Sequence, residues 1–328
     1  MSNLPGPILV TGAAGFVGSH LVERLAASGH QVRAFVRYNS SGSVGFLAGS
    51  AGQKQIEILR GDIRDYDSVR RAVAGCGTVF HLAALIGIPY SYESPLAYVK
   101  TNVEGTYNIL EACRDEGMKN LLITSTSEVY GEARHFPIDE EHAVNARSPY
   151  AASKIGADQL AVSYHAALGL PLTIIRPFNI FGPRQSARAI IPTVIAQVLG
   201  GAETIRLGNT HPTRDWTYVE DVVAAFEKIA ETPALAGQVV HIGSGTEVSV
   251  TELVECVGRI AGRKTRIEAD AARTRPSASE VDRLLCDSTK LQTATGWKPA
   301  HDLDQGLGKT VEWIRAHAEM YPVDRYVT

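Results

Sequence analysis

Ile8-Leu9-Val10-Thr11-Gly12-Ala13-Ala14-Gly15-Phe16-Val17-Gly18-Ser19-His20-Leu21-Val22-Glu23-Arg24-Leu25 reads as a short apolar strand, a glycine-punctuated turn and an amphipathic helix. The order strand, turn, helix gives the glycines a meaning that a lone motif would lack. Gly12 makes the tight turn and Gly15 lets a pyrophosphate approach the backbone. Gly18 lets the helix pack on the strand, with the helix N-terminus facing the phosphates. The spacing is G-x-x-G-x-x-G, a variant of the G-x-G-x-x-G dinucleotide fingerprint. It predicts an α/β fold built on a Rossmann-type, doubly wound parallel sheet.

Working outward, the same alternation continues. Apolar runs recur at Val32–Val36, Ile56–Leu59, Thr78–Leu82 and Leu121–Thr124, separated by amphipathic stretches at Gly15–Ser28, Tyr66–Val73 and Leu96–Glu116. This βαβ rhythm argues for parallel strands covered on both faces, with ligands at their carboxyl ends. A helix over Tyr150–Leu168 and a strand over Leu172–Arg176 extend the sheet. The texture then changes, with Pro177, Gly182, Pro183, Pro192 and Pro212 punctuating mixed elements. Helices are expected over Ile190–Leu199, Glu220–Ala230 and Val250–Ala261, and strands over Thr204–Leu207 and Gln238–Ile242. Residues 1–177 are read as the dinucleotide-binding domain, to which some later segments return. Residues 178–328 are read mainly as a smaller mixed α/β substrate lobe sharing its cleft. Tyr38–Gln53, rich in Gly and Ser, is expected to be a long loop.

A chain of 328 residues with 45% hydrophobic and 20% charged residues and a net charge of −3 can bury a large core. It carries no basic run that would suit nucleic acid and no apolar stretch long enough to span a bilayer, so a small-molecule partner is expected. The N-terminal residues have no secretory pattern, which points to the cytoplasm. Cys76, Cys113, Cys256 and Cys286 are widely spaced without C-x-x-C, and are read as reduced structural residues with no metal.

Tyr150 and Lys154, in Ser148-Pro149-Tyr150-Ala151-Ala152-Ser153-Lys154, fall on one helix face. An ammonium beside a phenol favours the phenolate, so Tyr150 is a candidate base toward a hydroxyl, and hydride transfer follows if an acceptor lies close. The second strand ends in Val36-Arg37-Tyr38, without the carboxylate that binds an NAD ribose hydroxyl. Arg37 suits a 2′-phosphate, so NADP is expected ahead of NAD. Asp62 and Ile63, after the third strand, are placed to bracket the adenine.

The Gly loop, His81-Leu82-Ala83-Ala84, Asn102, Tyr150 with Lys154, and Arg176-Pro177-Phe178-Asn179 together resemble the extended short-chain dehydrogenase/reductases that modify nucleotide sugars. The resemblance spans nearly the whole chain. It implies a nicotinamide cofactor held by Gly12, Gly15, Phe16, Val17 and Gly18, by Leu82, Ala83, Ala84, Asn102 and Pro177, and by Tyr150 and Lys154. Thr126-Ser127-Glu128-Val129-Tyr130-Gly131 is similar to the signature of 4,6-dehydratases and of a decarboxylase branch, because 4-epimerases usually lack the glutamate. A carboxylate is useful there. Once C4 of the sugar is a ketone, the C5 proton becomes acidic, and Glu128 can remove it while the C6 hydroxyl leaves as water. Thr126 would then hold the C4 oxygen beside Tyr150. Glucose dehydratases place an Asp before this Glu; Ser127 stands there instead, which implies that Glu128 serves as both base and acid, as in GDP-mannose 4,6-dehydratases.

Arg275-Pro276-Ser277-Ala278-Ser279-Glu280-Val281-Asp282, Ala84–Tyr92, Gly182–Arg188 and Pro212–Asp215 tighten the resemblance toward amino-sugar nucleotide 4,6-dehydratases of the legionaminic-acid pathway, which act on GDP- or UDP-N-acetylglucosamine. It implies that Ser127, Asn179, Arg184, Arg214, Arg275 and Glu280 bind a nucleotide-diphosphate sugar. It further implies a homodimer in which Leu96–Glu116 and Tyr150–Leu168 pair with their two-fold mates. A 4-epimerase, a uronic-acid decarboxylase and a non-catalytic dinucleotide sensor are the competing readings, and the Tyr150/Lys154 pair argues against the sensor.

Overall fold

Short, mostly apolar runs alternate with helices that have one apolar face, and a parallel sheet sandwiched by helices is the arrangement that buries both. The computed structural model describes residues 4–50, 52–270 and 281–323. In chain order it contains β1 (Ile8–Thr11), α1 (Phe16–Ala27), β2 (Val32–Arg37), β3 (Ile56–Gly61), α2 (Tyr66–Val73), β4 (Thr78–His81), α3 (Ile88–Glu93), α4 (Pro95–Tyr98), a π-helical turn (Val99–Glu104), α5 (Gly105–Asp115), β5 (Asn120–Thr124), α6 (Pro149–Leu168) and β6 (Leu172–Pro177). Then follow β7 (Asn179–Phe181), α7 (Ile190–Leu199), β8 (Thr204–Leu207), β9 (Thr213–Tyr218), α8 (Val219–Ala230), β10 (Val239–Ile242), β11 (Glu247–Ser249), α9 (Val250–Ala261), β12 (Arg266–Ala269), β13 (Arg283–Leu284), α10 (Thr289–Thr295) and α11 (Leu303–Ala316).

The seven-stranded sheet runs β10-β6-β5-β4-β1-β2-β3, all parallel. Its order reverses between β1 and β4, and ligands of such sheets sit in the crevice beyond the strand ends at that reversal. Phe80, Leu122 and Ile175 pack on one face with α1 and α8 residues such as Leu21, Val22 and Phe226. Val79, Leu121, Ile123 and Ile174 pack on the other with Val69, Ile109 and Ala161 of α2, α5 and α6. α8 and β10 lie beyond residue 177 in sequence yet complete this domain. A second core, including Ile191, Ile195, Trp216, Leu253 and Val257, joins α7, α9 and α11 to the small sheet β11-β9-β13, with β7 on β9.

The caps of α6 place its catalytic candidates. Ser148 Oγ accepts from the Ala151 N–H at 3.1 Å, Pro149 occupies the first turn, and Gly169 at φ 69° ends the helix. Tyr150 and Lys154 therefore fall in its first two turns. The expected helix over Leu96–Glu116 runs through, with a π-helical turn over Val99–Glu104 inserted between α4 and α5 and carrying Asn102. Within Tyr38–Gln53, a 3₁₀ turn at Gly45–Gly49 buries Leu47. All four cysteines are free thiols, and no described helix is long and apolar enough to cross a membrane.

Candidate active site

The Gly loop behaves as its spacing requires. Gly12 sits at φ +70°, and a Cβ there would meet the Ala83 backbone N at 2.9 Å. A Cβ at Gly18 would strike Gly12 O at 2.3 Å, so the start of α1 lies against the turn with no room for a methyl. Gly15 differs: a Cβ there would meet only Gly12 O at 3.3 Å and otherwise face open space. The α1 N-terminus has no side-chain cap, so its first N–H groups stand ready for an anion beside that open face. The cradle fits a dinucleotide pyrophosphate, with Phe16 and Val17 in the first helical turn.

Thr11 fixes the neighbouring strand end. Its Oγ1 accepts from the N–H groups of Leu82 and Ala83 at 3.2 and 3.1 Å and lies 2.8 Å from His81 Nδ1. Asn102 holds the segment after Ala84: its Oδ1 accepts from the Leu85 N–H at 2.8 Å, and its Nδ2 donates to Leu85 O and Ser153 Oγ, both at 2.9 Å. Asn102 thus fixes the Leu85 backbone and has its amide already occupied. Pro177 ends β6 beside Ile242 of β10.

Two adenine-side expectations are modified. Asp62 turns its carboxylate onto Arg64, which donates from Nε at 3.0 Å and Nη2 at 2.6 Å and holds the Asp62 carboxyl below its ordinary range. Ile63 is buried, with its side chain where a Cβ on Gly105 would collide at 2.7 Å. Arg37 is exposed at the end of β2.

At the carboxyl end of β5, Thr126 caps a 3₁₀ turn over Ser127–Tyr130 by accepting from the Glu128 N–H at 3.2 Å. The turn buries Ser127, Val129 and Tyr130 and leaves Glu128 half-buried. Tyr150 is buried beside it, hydrogen-bonded to Thr126 and edge-on to Tyr98 at 6.2 Å between ring centroids. Lys154 Nζ donates to Thr124 O at 2.6 Å. The expected lowering of the Tyr150 phenol is not what the polypeptide alone produces. Burial pushes its pKa well up, the Thr126 hydrogen bond pulls it down, and the Glu128 charge adds to the rise. Burial also lowers the Lys154 ammonium, while the Asp158 carboxylate raises it.

A cavity of about 270 Å³ opens from Glu128 toward the second lobe, lined among others by Asn179, Gln185, Arg188, Arg214 and Trp216. Three of its lining side chains bury a polar atom that has no partner among the described residues: Asn179 Oδ1, Gln185 Oε1 and Trp216 Nε1. Those atoms are sealed from the cavity itself, whose polar character comes from lining side chains such as Glu128, Arg188 and Arg214. Arg214 donates from Nη1 to Thr213 O at 2.8 Å while lining it. Arg184 does not reach it: its guanidinium pairs with Glu23 at 2.9 Å, donates to Ser19 Oγ and lies over Trp313. That pairing fastens the segment after β7 to α1, and Arg188, four residues later in the same non-helical segment, lines the cavity in its place. Gln185, Arg188 and Trp216 are the residues sequence reasoning missed, and all three lie in or beside runs whose resemblance had drawn attention to a neighbour. Arg275 and Glu280 lie outside the described residues.

The fold, the dinucleotide cradle and the Thr-Tyr-Lys constellation define an oxidoreductase-type α/β enzyme. The GDP-mannose 4,6 dehydratase family model matches residues 9–310, and the chain belongs to this family of extended short-chain dehydrogenase/reductases, the nucleotide-sugar dehydratases and epimerases. It is 36% identical to a dTDP-glucose 4,6-dehydratase of Streptomyces niveus over 94% of this chain and 92% of that one. It is 35% identical to a UDP-glucose 4-epimerase of Mycolicibacterium smegmatis over 94% and 98%. Among solved structures, DesIV, the dTDP-glucose 4,6-dehydratase of Streptomyces venezuelae with NAD bound, superposes with a TM-score of 0.87 at 30% identity, covering 96% of this chain and 98% of that one.

Proposed function

We propose that the protein is a nucleotide-sugar 4,6-dehydratase that uses NAD catalytically on a GDP- or UDP-linked hexose or N-acetylhexosamine. The observation that carries this reading is the half-buried Glu128 carboxylate, which lines the cavity and whose charge is felt by the Tyr150 phenol. The relative with bound NAD supports that cofactor, and nothing in the relatives supports the NADP preference read from Arg37. When bound, NAD supplies the acceptor for the C4 hydride, the positive charge that offsets burial of the Tyr150 phenol, and the donor that returns hydride to C6.

The chain's own residues do the remaining work. Tyr150 takes the proton of the C4 hydroxyl, and Thr126 Oγ1 holds the same oxygen. Lys154, fixed by Thr124 O, keeps a positive charge behind the phenol. Glu128 then takes the C5 proton and gives it to the departing C6 hydroxyl, which leaves as water, and as hydride reaches C6 a proton drawn from solvent through Glu128 returns to C5. Asn179, Arg188 and Arg214 hold the diphosphate and nucleoside. Epimerase relatives at similar identity make 4-epimerisation the second reading, favoured by Ser127 standing where an acid for C6 would be. Product mass separates them: incubation with UDP-, GDP- and dTDP-hexoses should yield a product lighter by one water, with no net reduced nicotinamide. An unchanged mass supports the epimerase, and loss of carbon dioxide from a uronic acid supports a decarboxylase.

We further propose a homodimer built on α4 to α6. Leu96, Val99, Tyr107 and Val162 are exposed on these helices at 62, 49, 44 and 44%, and pairing with a second copy would cover them. A monomeric mass at micromolar concentration would contradict this.

A further inference from the structure

α6 carries three ionisable groups one turn apart on one face: Tyr150, Lys154 and Asp158. The first two belong to the proposed chemistry, and the third has no part in it. Asp158 is 1% exposed and Lys154 3%. Each buried charge costs on the order of several kcal/mol in lost hydration unless other groups compensate. Asp158 Oδ2 accepts from Ser125 Oγ at 2.8 Å and from Arg176 Nε and Nη2 at 3.2 and 2.9 Å. Its Oδ1 is buried without a hydrogen-bond partner among the described residues.

Two further carboxylates stand near, Glu140, which accepts from the His241 N–H at 3.0 Å, and Glu128 beside Tyr150, but among the described residues neither bonds Lys154 or Arg176. On β4, His81 lies between the hydroxyls of Thr11 and Thr106; burial and the Lys154 charge push its pKa down to about 3, so it is neutral. On β6, Arg176 is a second buried cation, and its Nη1 donates to Tyr130 OH at 2.7 Å. Tyr130 OH meets His241 Nε2 of β10 at 2.5 Å, and burial with the Arg176 charge pushes His241 down to about 3 as well. Tyr150 faces the group from the cleft, and Glu128 lines the cavity beyond it. Arg176 thus pairs with Asp158 directly, while Lys154, one helical turn away and bonded to Thr124 O, feels the same carboxylate through its charge.

We propose that Asp158 is a positioning residue for the active site, holding Lys154 in its charged form and, through Ser125, fixing the end of β5 that carries Thr126 and Glu128. The proposal rests on the reading that Tyr150 and Lys154 serve C4 oxidation. The electrostatics agree in direction: Asp158 raises the Lys154 ammonium against burial and also raises the Tyr150 phenol. Removing its charge should lower both, so the pH window in which a charged Lys154 stands behind an ionisable Tyr150 should move toward acid as a whole. A merely structural residue would lower the rate without moving that window.

The test is a lysine titration followed by NMR of ¹³Cε-labelled protein saturated with NAD, with the Lys154 signal identified by its loss in Lys154→Arg. In Asp158→Asn the Lys154 midpoint should fall by about one pH unit or more, and in Arg176→Gln, which removes the competing cation, it should rise. If Asp158→Asn does not fold, Arg176→Gln decides alone, and an upward shift supports the proposal. An unmoved midpoint, or shifts of the same sign in both variants, overturns it. With a sugar nucleotide that reduces the bound cofactor, the pH optimum of that reduction in Asp158→Asn should follow Lys154 toward acid. If no sugar nucleotide reacts while the midpoints separate as stated, the charge-holding role stands and the catalytic reading fails.

Discussion

Gly15 and Gly18 belong to one motif, yet the structure predicts opposite phenotypes for their alanine variants. At Gly18 the new methyl would lie 2.3 Å from Gly12 O, 2.9 Å from Gly12 C and 3.0 Å from Ala13 Cα. All three are backbone atoms, so relief requires moving α1 away from the turn by about 1 Å. Overpacking of that kind costs about 1–3 kcal/mol. For a chain of this length, an unfolding entropy of about 2.1 cal/mol/K per residue converts this to a fall in Tm of about 1.5–4.5 °C. At Gly15 the backbone is ordinary, with φ −82°, and the methyl faces open space. The alanine there should change Tm by less than about 1 °C, because loss of glycine at the cap and the reduced freedom of the unfolded chain offset one another. That methyl would instead occupy the face offered to the pyrophosphate, so NAD affinity should fall at least about tenfold. Differential scanning calorimetry of the apoprotein and calorimetric titration with NAD measure the two effects separately. Unaltered NAD affinity in Gly15→Ala, or an unaltered Tm in Gly18→Ala, would refute the assignment of these roles.

Further outcomes follow from the other parts of the site. Arg188→Ala should raise KM for the sugar nucleotide with little change in Tm, whereas Arg184→Ala should lower Tm and weaken NAD binding by freeing α1; the reverse pattern would restore Arg184 to the substrate site. His81 and His241 have folded pKa values of about 3, below their ordinary 6.5. Their contribution to stability is therefore full above pH 6.5 and is lost as pH falls toward 3, because the unfolded chain takes up protons that the folded one refuses. His241→Gln should thus destabilise less at pH 4.5 than at pH 7, by about 2–3 kcal/mol in urea denaturation, and an equal cost at both pH values would count against a neutral buried His241.

Six of the seven parallel strands were legible from short apolar runs in a βαβ rhythm, while β10 was read as a strand of the second lobe, and α6 was legible because Ser148 and Gly169 mark its ends chemically. The short strands β7, β9, β11 and β13 escaped for a physical reason: most offer too few residues for a period to show, and they pair across long stretches of chain. The π-helical turn at Val99–Glu104 was hidden as well, since its sequence still reads as helix while its extra residue is visible only in space. At the site, residue type and spacing pointed to Tyr150 and Lys154 and the family resemblance to Thr126 and Glu128, and the structure brings the four to one strand end. Sequence could not weigh burial against charge at Tyr150. Nor could it tell Arg184, held by Glu23, from Arg188, which lines the cavity, because both are arginines in one run and only the fold of the segment after β7 aims them differently.

The central claim is that Glu128 removes the C5 proton after C4 is oxidised, and solvent-deuterium labelling of the product tests it most directly. In D₂O the wild-type product should lack one water and carry deuterium at C5. Glu128→Gln should stop with reduced nicotinamide and a 4-keto sugar that keeps both its C6 hydroxyl and its original C5 hydrogen. A wild-type product of unchanged mass with no deuterium at C5, or normal turnover by Glu128→Gln, would contradict the account.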